Sequence, residues 1–207
     1  MLLIIPFTGI KSQNKTSAFK QFWNVSRYEK CWALKHIFVA GKAWKITKYV
    51  RQVSDSLAKT NILDGDADGG QVDAFRHAFW MAMLSQNMSN KKALKLGIAH
   101  EKGNYLDYKK NRKEEGSLPD KISSDMDLYN NNIGIDIGIV IKNNTNILTT
   151  DSLKQIIINN ILNGKMMVIK KNKKGEFLDT DNNVIKAESL VGKWENNKVL
   201  VPSNYVR

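Results

Sequence analysis

A chain of 207 residues with 42% apolar and 25% charged residues has the make-up of a globular protein able to bury a sizeable core. Its one cysteine, Cys31, excludes an internal disulfide, and no apolar run approaches the roughly 18–20 residues of a membrane-spanning helix. The net charge of +12 is uneven: residues 1–60 carry eleven Lys and Arg against two acids, residues 61–150 eleven against twelve, and residues 151–207 ten against six. Basic flanks around a near-neutral middle attract polyanions, whether nucleic acid, anionic lipid or an acidic protein, although a solvated lysine-rich surface gives the same count. No zinc-finger spacing, RNP-type aromatic motif or helix-turn-helix is legible, which counts against nucleic acid.

In chain order, the opening MLLIIPF is apolar but short, with no preceding basic residues and no clear cleavage site. It reads as a buried strand or tucked terminus rather than a signal peptide. KSQNKTSA is polar and turn-like. Residues 26–59 read as one or two helices anchored by Trp32, Ile37, Phe38, Trp44, Ile46, Tyr49 and Val53, with Gly41 as the break. Cys31 is expected in the core and His36 in the core or on the surface.

NILDGDADGG, residues 61–70, is a loop, and a second helical block covers 71–87. Ser89 or Asn90 caps a third helix that runs to about Gly103. The charged stretch 104–121 reads as a long loop. Ser123, Ser124 or Asp125 caps a helix over 126–141, and Asp151 caps one over 152–163 that Gly164 ends. Beyond it, MMVIKKNKKGEFLDTDNNVI predicts a hairpin with turns at Lys-Gly and Asp-Asn, and GKWENNKVLVPSNYV continues in that style. The expected fold is mainly α: a compact helical bundle with a short β-rich C-terminal tail. It divides into a helical domain over 1–164 and a hairpin-like extension over 165–207.

The block at 71–87 is apolar around nearly its whole circumference, which is the mark of a buried helix. From Val72 to Leu84 only Asp73, Arg76 and His77 are polar. Burying an unpaired charge costs several kcal/mol, so these groups need partners. Helical spacing turns Asp73, Arg76, His77 and Trp80 in roughly one direction. On the next helix Leu96, Gly97 and His100 share a stripe with Glu101 at its border, and Gly97 permits close approach. On the third, Asp127, Asn131 and Gly134 share a face with Asn130 alongside. Each polar residue has a plainer reading as a satisfied core group, Asp73 and Arg76 as a simple buried ion pair. Three polar sets turned toward one core point instead to a single cluster.

The stretches DAFRHAFW, AHE and MDLYNNNIG carry a pattern D-x-x-R-H-x-x-W, then H-E, then M-D-x-x-N-N-x-x-G. Over roughly residues 70–138 this resembles an uncharacterised bacterial domain family found in secreted proteins and at the ends of polymorphic toxins. The resemblance implies that Asp73, Arg76, His77, Trp80, His100, Glu101, Asp127, Asn130, Asn131 and Gly134 act together. It supplies no reaction.

Side-chain chemistry gives two options. His77, His100, Glu101 and Asp127, with Asp73 in reserve, form an imidazole and carboxylate set able to hold one divalent ion, Zn, Mg or Ca. Such an ion activates water, and Arg76 stabilises developing charge or clamps a phosphate. Without metal, one His acts as general base or nucleophile beside a carboxylate, and Arg76 and the asparagines stabilise charge. Trp80, Asn130 and Asn131 are then the candidate substrate contacts. Asp64, Asp66, Asp68 and Gly69 match positions one, three, five and six of a calcium loop, but position twelve is Phe75, so a helix entrance is the better expectation.

The expected function is an antibacterial effector, secreted or delivered into a target cell, that hydrolyses an anionic substrate, foremost a phosphoester of a lipid or envelope precursor. An acidic cognate immunity protein is its expected partner. The alternatives are a nuclease toxin and a non-catalytic binding or membrane-perturbing module.

Overall fold

The computed structural model describes residues 25–113, 117–143 and 149–206, so the expectations for MLLIIPF and KSQNKTSA lie outside the described residues. Among these residues the fold is mainly α, with seven helices: α1 Arg27–Lys35, α2 Ile37–Leu57, α3 Gln71–Asn87, α4 Asn90–Lys109, α5 Lys121–Asn143, α6 Thr150–Leu162 and the short α7 Ala187–Leu190. Two three-residue strands, β1 Met167–Ile169 and β2 Leu200–Pro202, pair antiparallel with Val168 opposite Val201.

The organising element is α3. Ala74, Phe75, Ala78, Phe79, Met81, Ala82 and Leu84 have no solvent exposure, as an all-round apolar helix requires. Helices α2, α5 and α6 pack on different sides of it. The α3–α5 crossing is the closest, and glycine makes it possible. A Cβ at Gly134 would collide with the Ala78 carbonyl, and one at Gly138 with Ser85 Oγ and the Ala82 carbonyl. Small residues on both helices thus bring the two backbones together and set the polar residues of α5 against those of α3.

Several boundaries differ from expectation for physical reasons. The first helical block breaks at His36, not Gly41: His36 N–H closes α1 on the Ala33 carbonyl, and its own carbonyl starts α2 by accepting from Ala40. Gly41 lies inside α2 with open space where a Cβ would be, a site where glycine weakens a helix by only about 1 kcal/mol. Ile37 and Phe38 are not core anchors but are exposed, and Cys31 is exposed rather than buried, one step round α1 from the buried Trp32. Helix α4 continues to Lys109 because Tyr105 and Tyr108 pack on Trp194 of the tail, with centroid separations of 4.8 and 5.2 Å. Helix α5 starts early, where Asp120 Oδ1 accepts from Ser123 N–H at 2.8 Å and Ser123 Oγ accepts from Asp120 N–H at 3.1 Å. Thr149, not Asp151, caps α6.

The expected hairpin after Gly164 is replaced by a longer-range pairing. The turns form where Lys-Gly and Asp-Asn predicted them, with Gly175 and Asn182 at positive φ. Their flanks, however, make only the single bridges Lys171–Phe177 and Leu178–Val184, while β1 pairs with β2 some thirty residues on. The tail is bolted to the helical body: Ile169 N–H donates to the Gly69 carbonyl at 2.7 Å, Gln71 Nε2 to the Ser203 carbonyl at 2.7 Å, and Lys198 pairs with Asp120 at 2.7 Å.

Gly134→Ala is expected to destabilise the protein by about 1–3 kcal/mol through overpacking against Ala78. Urea unfolding should show a lowered midpoint; an unchanged midpoint would mean that the crossing is loose enough to absorb a methyl group.

Candidate functional site

Asp73, at the start of α3, is 5% exposed and held from three directions. Its Oδ2 accepts from Gly69 N–H at 2.7 Å, its Oδ1 accepts from Arg76 Nη2 at 2.6 Å, and the same Oδ1 lies 3.5 Å from His77 Nε2. Asp127 Oδ1, reaching across from α5, stands 3.3 Å from that ring nitrogen. Asp73, His77 and Asp127 are all buried, and one ligand atom from each lies within 4.8 Å of the others. This group could hold a metal ion. Among the described residues no other set of three imidazole, thiol or carboxylate groups meets that distance, so His100 and Glu101 fall outside it.

Burial holds His77 well below the usual histidine range, and the charges of Arg76 and His100 push it the same way. The Asn131 amide beside the ring pulls in the opposite direction without reversing the outcome. His77 Nδ1 and both polar atoms of the Asn131 side chain have no hydrogen-bond partner among the described residues, in a part of the core where such groups are nearly always satisfied.

His100 joins the site by another route. Its ring lies 6.1 Å from that of His77 and edge-on to Trp80 at 5.7 Å, and its Nδ1 is 3.3 Å from Glu29 Oε1 on α1. Burial raises the Glu29 carboxyl, but the hydrogen bond and charge of His100 and the Ser26 amide outweigh it and hold the group below its usual value. Glu29 is therefore ionised and His100 Nδ1 is the donor. The neighbouring Glu101 points elsewhere: its Oε2 accepts from Ser124 Oγ at 2.6 Å and Asn104 Nδ2 at 3.2 Å, linking α4 to α5.

Glu29 escaped the sequence reading although a signal was present. Ser26-Arg27-Tyr28-Glu29 is a capping box, in which Ser26 Oγ accepts from Glu29 N–H at 3.2 Å and Glu29 Oε2 accepts from Ser26 N–H at 2.9 Å. One carboxylate thus starts α1 and orients His100. That α1 would pack beside α4 was not legible locally.

Arg76, His77, Trp80, His100 and Glu29 line a cavity of about 850 Å³ between α1–α2 and α3–α4. Trp32, Leu34, Ile37, Trp44 and Leu96 make much of its wall apolar, and Lys48 and Arg51 add positive charge. Trp80 is fixed there by donating from Nε1 to Thr47 Oγ1 at 2.8 Å. Asn130 and Asn131 are fully buried and outside this lining. Asn130 clasps β1, donating to the Met167 carbonyl at 2.9 Å and accepting from its N–H at 3.0 Å.

The loop acids act as a helix entrance. Asp64 accepts from Gln71 N–H at 3.0 Å, Asp66 accepts from Asp68 N–H at 3.1 Å, and Lys171 Nζ pairs with Asp66 at 2.7 Å. An ammonium group from the tail stands in the loop where a calcium ion was the alternative expectation.

A family model described as a domain of unknown function (DUF6973) matches residues 30–165. The chain belongs to that family. The DUF6973 match takes in Asp73, His77, Asp127, Arg76 and His100, and it ends where the tail begins, leaving β1, β2 and Lys171 outside. No curated protein and no solved structure matches the chain.

Because His77 is depressed in the folded state, the unfolded chain takes up a proton first as pH falls. The stability contributed by neutral His77 is complete above about pH 6.5 and declines below it by up to about 1.4 kcal/mol per pH unit. Urea titrations from pH 7.5 to 5.5, with chelator present, should show this slope in the wild type and a flatter one in His77→Gln. Equal slopes would show that His77 does not titrate in that window.

Proposed function

We propose that this DUF6973 chain is a hydrolase that cleaves a phosphoester on an amphiphilic substrate, such as a lipid or envelope precursor, and that it serves as an antibacterial effector. The observation that carries the reading is the meeting of two unlike surfaces. A buried Asp73–His77–Asp127 group lies directly behind the wall of a largely apolar cavity, which His77 and its neighbour Arg76 line while the two carboxylates sit beneath them. An anionic head suits the first surface and a hydrocarbon chain the second.

The donor set fits a divalent ion. Two carboxylate oxygens approach the same nitrogen of an imidazole kept neutral by burial, the form that binds metal. His77 Nε2, Asp73 Oδ1 and Asp127 Oδ1 would hold it, and the ion would polarise the phosphoryl oxygen and lower the pKa of water. Arg76, with both nitrogens anchored on Asp73 and the Ala67 carbonyl, presents a fixed positive charge to the bound anion. His100, oriented by Glu29, passes a proton at its other ring nitrogen to the departing oxygen. The effector role is supported by the likeness of the three motifs to toxin-associated domains and by the basic flanks, which suit an acidic immunity protein.

His77→Ala and His100→Ala are expected to stay folded by circular dichroism and to lose activity by about a hundredfold or more. Expression directed to the periplasm should poison cells more than expression in the cytoplasm, and His77→Ala should abolish the effect. Cytoplasmic killing with degraded DNA or RNA would replace the lipid reading by a nuclease. Manganese or zinc should raise the melting temperature of the wild type and not of Asp127→Ala; equal shifts would remove the metal from the scheme.

A further inference from the structure

We propose that the corner between α1 and α2 is a docking surface for an anionic lipid bilayer, set at the mouth of the cavity. Three large apolar side chains project there: Leu34 is 68% exposed, Ile37 64% and Phe38 96%. Grouped exposure of this kind marks a surface that meets something apolar. The group straddles the break at His36, which ends α1 and starts α2 within a single residue.

Charge identifies the occupant. Lys35 is exposed beside His36, and Trp32, whose ring lies edge-on to His36 at 5.0 Å, donates from Nε1 to the Lys92 carbonyl at 3.0 Å, so α4 brings Lys92 to the corner with the exposed Lys95 one turn on. Lys42 and Lys45 are exposed further along α2, and between residues 27 and 47 the one acid is Glu29, which is turned inward to His100. Apolar tips with lysines on the neighbouring turns match a bilayer, where the tips enter the acyl boundary and the ammonium groups meet anionic headgroups. A second copy would set one group of lysines against another, and like charges oppose that pairing.

Position gives the surface its use. Leu34 and Ile37 belong both to the exposed group and to the cavity wall, so a lipid leaving the bilayer passes along apolar side chains toward His100 and Arg76. That use rests on the hydrolase reading above; the docking itself does not.

Co-sedimentation of the full chain with phosphatidylcholine vesicles, with and without phosphatidylglycerol, tests it. The expected result is binding on the order of tenfold stronger to the anionic vesicles, weakened by salt. Phe38→Asp and the Lys35→Glu, Lys92→Glu, Lys95→Glu combination should each lose it, and His77→Ala should keep it. Hydrolysis without vesicle binding would overturn the docking alone, whereas vesicle binding without hydrolysis would leave docking standing and sink the hydrolase. Equal binding to neutral vesicles, or a wild-type dimer that Phe38→Asp converts to monomer, would also overturn the proposal.

Discussion

Two carboxylates and an imidazole inside a helix–helix contact are a cost that the surrounding structure must carry. Asp73, His77 and Asp127 are each no more than 6% exposed. Desolvating ionised groups to that degree costs several kcal/mol unless paired groups return it. The return comes from Gly69 N–H and the Arg76 guanidinium on Asp73, and from His77 Nε2 set between the two carboxylates. The Asp127 share of it depends on the close α3–α5 crossing permitted by Gly134 and Gly138. A wider crossing would leave Asp127 too far from His77 to compensate for its burial. Backbone proximity therefore comes first, and the polar group is its consequence.

The neutrality of His77 gives that arrangement direction. Arg76 pairs with the Asp73 carboxylate, while Asp127 faces a ring that burial keeps uncharged. Such a group could hold a metal ion.

What could be read from the sequence follows from how local the cause was. The all-apolar circumference of 71–87 delimited α3 to the residue, and helical spacing brought Asp73, His77 and Asp127 together on the right faces. The C-terminal turns were legible because Gly175 and Asn182 sit at positive φ, a local demand. Non-local causes stayed hidden. The β1–β2 pairing spans thirty residues, α4 is extended by Trp194 of the tail, and Lys171 crosses over a hundred positions to Asp66. Asn130 looked like a substrate contact because polar residues on an apolar helix look alike until their partners are seen; its partner is the Met167 backbone. Glu101 was grouped with His100 for being adjacent in sequence, yet adjacent helical residues diverge by about 100°, which sends one to α1 and the other to α5.

The part of the chain read least accurately is also the part that gives the site its character. The sequence pattern points Ile37 and Phe38 to the core, because large apolar residues at helical spacing usually belong there. They are exposed instead, because the His36 junction turns them away, and α1–α2 spends its remaining apolar surface on lining a cavity. A helix pair that packed fully against α3 and α4 would have sealed His77, Arg76 and His100 from any ligand. By packing incompletely it leaves His77, Arg76 and His100 an apolar-walled approach, and that approach begins at the exposed Leu34 and Ile37. The departure from good core packing and the cavity beside His77 thus have a single structural origin.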